Sequence, residues 1–130
     1  MKKPKIKIKV TKEDAGYSAN TLVNNNFIAT ESETFEELKE MILEAVNLSF
    51  EDIGFIYTID EIQFEYDLGS FFDFYKVINA KALSDRIGMN QSLLAQYIKG
   101  SKKPSTNQTK RILRGVQQIG RELSEVRFLL

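Results

Sequence analysis

The run Asn90-Gln91-Ser92-Leu93-Leu94-Ala95-Gln96-Tyr97-Ile98-Lys99, followed by Gly100-Ser101-Lys102-Lys103, gathers the side chains with the plainest binding chemistry in this 130-residue sequence. Gln91 and Gln96 each pair a donor with an acceptor, as needed to bond N6 and N7 of adenine, and Ser92 can bond a base or a phosphate. Lys99, Lys102 and Lys103, with Lys81 upstream, are point charges suited to a phosphate backbone, and Arg111 and Arg114 can add to them. Asn90 has the side chain of an N-cap, and the helix N-terminus it would open favours a phosphate. The chemistry available here is recognition of nucleic acid.

Other chemistries are poorly supplied. The chain has neither cysteine nor histidine, which removes disulfides, thiolate nucleophiles, Cys/His zinc sites and imidazole catalysis. Glu13 and Asp14, like Asp60 and Glu61, are sequence neighbours, and neighbours on a strand point to opposite faces, so they are expected on the surface rather than as a catalytic pair. No enzyme, metal or cofactor is predicted. No run of 18 apolar residues occurs and the start, Met1-Lys2-Lys3-Pro4-Lys5, leads into alternation rather than an apolar stretch. Neither a membrane span nor a signal peptide is expected, and the location predicted is cytoplasmic.

A chain with 18 basic and 18 acidic residues has no net attraction to polyphosphate. The balance conceals a division. Residues 1–68 hold seven lysines against 14 acidic residues, and residues 69–130 hold 11 basic against four acidic, so the halves carry −7 and +7. Two parts with different partners are implied, the basic one matched to nucleic acid. The acidic one serves solubility alone or receives a basic partner, and the charge pattern fits both.

In the basic half, Ser70 is expected to cap a helix over 71–78 with Phe71, Phe74, Tyr75 and Ile78 on one face, and Asn79 to end it. A second helix over 81–87 stops at Gly88, Met89-Asn90 makes the turn, and a third over 91–99 stops at Gly100 with Leu94, Tyr97 and Ile98 inward. A last helix runs from about Ser105 to Arg121 on a stripe of Ile112, Val116 and Ile119. In the acidic half, Lys5 to Thr11 alternates and predicts a strand with Ile6, Ile8 and Val10 on one face and lysines on the other, the lysines guarding a sheet edge. A hairpin to Tyr17–Leu22, a turn at Asn24-Asn25-Asn26 and a strand near Phe27–Thr30 make a meander. Thr34 and Glu37 form a capping box for a helix striped by Phe35, Leu38, Met41, Ile42, Ala45 and Val46. Phe55–Ile59 and Ile62–Leu68 predict one or two further strands. The expected fold is α+β: a small antiparallel sheet with one covering helix over residues 1–68, then an all-α domain over 69–130.

Leu83, Ser84, Ile87-Gly88-Met89, Asn90-Gln91-Ser92, Leu94, Ile98, Gly100 and Pro104-Ser105 together resemble the helix-turn-helix of the phage-repressor and XRE-type family. That resemblance implies a recognition helix over 91–99 entering the major groove, and usually a dimer on a palindromic site. Leu93 and Ala95 stand where family members often present polar residues. The strand Lys5–Val10, the Asp14-Ala15-Gly16-Tyr17-Ser18-Ala19 hairpin and the Thr34-Phe35-Glu36-Glu37-Leu38 helix start resemble the HicB-type antitoxins. This implies a partial ribonuclease-H-like first domain that binds and neutralises a small basic toxin, a HicA-type ribonuclease, and a second domain that represses the operon at its operator DNA as a homodimer or higher homo-oligomer. The alternative is a stand-alone dimeric repressor whose first domain dimerises or senses a ligand.

Overall fold

The computed structural model describes residues 2–130. The fold is α+β, with a four-stranded mixed sheet and five α-helices, divided into one compact unit ending at Phe74 and another spanning Tyr75–Leu130. Among the described residues no helix is long and apolar enough to cross a membrane.

The first unit begins with the expected meander: β1 (Ile6–Lys12), β2 (Tyr17–Val23) and β3 (Asn26–Ser32), each antiparallel to the next. Ile6, Ile8 and Val10 are buried, while Lys5, Lys7 and Lys9 face solvent, as alternation requires. Asn24 and Asn25 turn the second hairpin with φ of 49° and 66°, the left-handed backbone that asparagine tolerates, and Asn26 already belongs to β3. The fourth strand, β4 (Ile62–Tyr66), departs from the expected antiparallel sheet. It lies parallel to β1, with Ile6 opposite Ile62 and Val10 opposite Tyr66, in the order β3-β2-β1-β4. Strand β1 is therefore interior, and its lysines guard no edge. They stand on the sheet's open face, with Gln63 and Glu65 opposite Lys7 and Lys9 on the neighbouring strand.

A helix between β3 and β4 makes that parallel return possible. In α1 (Phe35–Phe50), Thr34 Oγ1 accepts from the Glu37 amide at 3.2 Å, but Glu37 completes no capping box, because its carboxylate accepts from Ser32 Oγ at 2.8 Å. Leu38, Ile42, Val46 and Phe50 are buried against the sheet. Met41, placed on that stripe by its spacing, is 41% exposed. The run Phe55–Ile59 is not a strand, since α1 itself takes up its hydrogen bonds. Asn47 Oδ1 accepts from the Tyr57 amide at 2.7 Å and Asn47 Nδ2 donates to the Tyr57 carbonyl at 3.2 Å, while the buried Tyr57 donates its hydroxyl to the Pro4 carbonyl at 2.6 Å.

Helix α2 (Leu68–Phe74) belongs to the sheet, so the first unit extends past the expected boundary at residue 68. Its first turn is served by Asp67, whose carboxylate accepts from Ser70 N at 3.3 Å and from Ser70 Oγ at 2.6 Å. Ser70 is thus not the cap but a buried bridge, accepting from the Lys12 amide at the end of β1 at 2.8 Å. Phe74 stacks on Phe35 with ring centroids 4.5 Å apart and meets Tyr17 at 4.6 Å. These contacts shorten the predicted 71–78 helix, leaving Tyr75 and Ile78 outside it. With the boundary at Phe74, the first unit carries seven basic and 15 acidic residues and the second 11 and three. The separation of charge grows to −8 and +8.

Candidate nucleic-acid interface

In the second unit, Asn79 opens α3 (Ala80–Ile87) rather than ending the helix before it, its side chain accepting from the Ala82 amide at 2.9 Å. Gly88 closes α3 with φ of 69°, a left-handed C-cap. The turn that follows is anchored by Met89, whose amide donates to the Ser84 carbonyl at 2.8 Å and whose side chain is buried. Asn90 opens α4 (Gln91–Lys99) by accepting from the Leu93 amide at 3.1 Å, and Gly100 ends it with φ of 81°. Ser105 caps α5 (Thr106–Ser124) by accepting from the Gln108 amide at 3.2 Å. Leu83, Met89, Leu94, Tyr97 and Ile112 are buried, with Val116 and Ile119 half-buried.

That packing sorts the residues of α4. Leu94 and Tyr97 are buried, and Leu93 and Ile98 are half-buried. Gln91, Ser92, Ala95, Gln96 and Lys99 are all exposed, and helical spacing puts them on one face. The loop beyond Gly100 stays close to this helix because the Ser101 and Lys102 amides both donate to the Gln96 carbonyl, at 3.1 and 3.3 Å. Lys102 and Lys103 are thereby held next to the end of the face that carries Lys99. Asn90, Gln91, Ser92, Gln96, Lys99, Lys102 and Lys103 come from one helix and its flanks, whereas Lys81 stands exposed on the first turn of α3. Among the described residues no acidic side chain pairs with any of these four lysines. Their charges are available to a polyanion.

Arg111 has a different role from the one its charge suggests. Its Nη2 donates to the Ile87 carbonyl at 2.9 Å and to the Gly88 carbonyl at 2.7 Å, and Nη1 donates to Gln108 Oε1 at 3.3 Å. It ties α5 to the turn between α3 and α4. Nothing local marks this residue, because its partners lie 23 and 24 positions back. A second tie joins α3 and α5 on the surface, where Arg86 Nη1 donates to Glu122 Oε2 at 2.6 Å. That hydrogen bond, with another from Gln118, holds the Glu122 carboxyl below its ordinary 4.5.

Replacing Arg111 with Met leaves the turn carbonyls without their donor and is expected to destabilise the second unit by about 2 kcal/mol, the scale of hydrogen bonds to a charged group. Arg111→Lys recovers part of the loss, since one nitrogen, Nη2, serves both carbonyls and an ammonium can do the same, but it forfeits the Nη1 bond to Gln108. Denaturant unfolding followed through backbone amide signals of α3 to α5 checks both. Because the folded Glu122 carboxyl is lowered, its contribution to stability is present above 4.5 and disappears as pH falls through the lowered folded value. A stability difference between wild type and Glu122→Gln should therefore exist near neutrality and vanish in acid, as thermal melts across that range would record. No family model, curated protein or solved structure matches the chain.

Proposed function

We propose that the chain is an antitoxin that also represses its own operon. In this reading the second unit is a helix-turn-helix domain that binds operator DNA through α4, and the first is a partial ribonuclease-H-like module that neutralises a small, basic, RNA-cleaving toxin. The protein acts by binding and is not an enzyme. The observation that carries the DNA reading is the exposed face of α4: Gln91 and Ser92 at the positive end of a capped helix, Gln96 further along the same face, and then three unpaired lysines. Carboxamides read base edges and lysines hold phosphates. The net +8 of the unit supports the same reading.

The antitoxin half rests on the first unit's charge and on its resemblance to the HicB type. All 14 acidic residues from Glu13 to Asp67 are exposed, and a surface of one sign steers a partner of the other. The alternative of a stand-alone dimeric repressor is favoured by a different observation. Leu22 and Phe27, directly opposite each other on the sheet's open face, are 68% and 70% exposed, an apolar pair suited to self-association.

Gel-shift titration with DNA from immediately upstream of the gene tests the DNA reading. Gln91→Ala or Gln96→Ala should weaken operator binding by about 1–3 kcal/mol and relax base choice. Lys102→Ala and Lys103→Ala should weaken all sequences alike, each reducing the slope of log K against log salt by about 0.9. Equal binding by wild type and the glutamine variants removes α4 as the reading element. Co-expression with the neighbouring reading frame tests the antitoxin half: a small basic protein, toxic alone, should co-purify with the chain. If the neighbour is harmless and does not bind, the stand-alone repressor is the better reading.

A further inference from the structure

Glycine weakens a helix interior, and α5 contains two, at positions 115 and 120. Gly115 has an internal reason. It is buried, and a methyl group there would run into Cγ2 of Ile87 and come within 3.3 Å of Cδ1 of Leu83. Gly120 has none, since a methyl group would meet nothing within 4 Å. Its surroundings supply another reason. Leu113, Val116, Gly120 and Leu123 follow at intervals of three, four and three residues, which makes them one stripe along the helix. Leu113 is 51% exposed, Leu123 is 65% exposed, and Val116 is half-buried beside them. The stripe runs alongside the buried face of Ile112 and Gly115 and is an apolar surface with a flat place in it.

The order of sizes along the stripe identifies what covers it. Positions 113 and 123, like 116 and 120, lie symmetrically about Gln118. A second α5 laid antiparallel across a two-fold axis at Gln118 sets each Leu113 against the other copy's Leu123, and each Val116 over the other copy's Gly120. Both contacts then occur twice, as a closed two-fold interface requires. In a parallel pair the two glycines would face each other and leave a gap where the antiparallel pair seats a valine. Val126 and Phe128, beyond the end of the helix, are also exposed apolar residues.

We infer that α5 is the dimerisation helix of this chain, pairing antiparallel with α5 of a second copy through Leu113, Val116, Gly120 and Leu123. Its purpose rests on the DNA-binding reading, since two copies of α4 are what a two-half-site operator needs. Its geometry does not. The pairing is tested in the full-length protein by sedimentation equilibrium. Wild type should show twice 14.9 kDa, or a higher even multiple. Leu113→Lys and Leu123→Glu should each halve that mass with an unchanged circular dichroism spectrum. The chain carrying both should regain it, because the cation introduced at position 113 then meets the carboxylate introduced at position 123 of the other copy. Since the chain has no cysteine of its own, oxidation offers a second measurement. A Leu113→Cys, Leu123→Cys chain should form a covalent dimer, whereas Leu113→Cys alone should not. A monomeric wild type, single variants that keep the wild-type mass, or cross-linking of Leu113→Cys alone overturns the inference. The outcomes also separate the two readings: an intact mass pattern with no shift of the upstream DNA sinks the DNA reading alone, and a monomer that shifts it sinks the pairing alone.

Discussion

The carbonyls of Ile87 and Gly88, at the end of α3, point out of a helix that cannot satisfy them, and they lie at its negative end. Arg111 supplies two donors and a positive charge to both from the second turn of α5. Three helices are made dependent on one guanidinium. The turn it fixes sets where α4 begins, Asn90 then caps α4, and the cap sets which residues follow on the outer face. Gln91, Ser92 and Gln96 are thus displayed by a chain of local constraints that begins with a residue outside the display.

The first unit depends on comparable long-range ties. Asn47 satisfies both backbone groups of Tyr57, converting what its apolar composition suggests is a strand into a fixed loop along α1. Ser70 joins α2 to the end of β1, and the rings of Phe35, Phe74 and Tyr17 close the same end of the sheet. An unmet polar group in such places costs more than its bond contributes when formed, so these few side chains have influence beyond their number.

What could be read in the sequence follows from this distinction between local and distant causes. The caps Thr34 and Asn90 and the stops Gly88 and Gly100 were legible, because each acts within three or four residues of itself. The burial of Ile6, Ile8 and Val10 was legible from alternation alone. The parallel placement of β4 was not, since alternation names a strand's faces and says nothing of its neighbours or direction. Asn79 fits either end of a helix by residue type, and only the start of α3 decides between them. On α4 the candidate face was nearly complete from sequence, because helical period and exposure agree there. Arg111 was counted with the phosphate-binding charges, since its partners Ile87 and Gly88 lie 24 and 23 residues back, outside the reach of any local pattern.

The interior position of β1 bears on how the chain is made. Ile6 pairs with Ile62, so the strand at the start of the sequence waits for one 56 residues later, and the bridge from Ser70 comes later still. As the polypeptide emerges from the ribosome, the meander and α1 appear first with one flank of β1 unpaired and its backbone open to wrong pairing. The second unit closes over far shorter separations, its turn and clamp being only 23 residues apart. Contacts so close in sequence form fast, whereas the sheet must hold β1 in waiting until β4 has been synthesised.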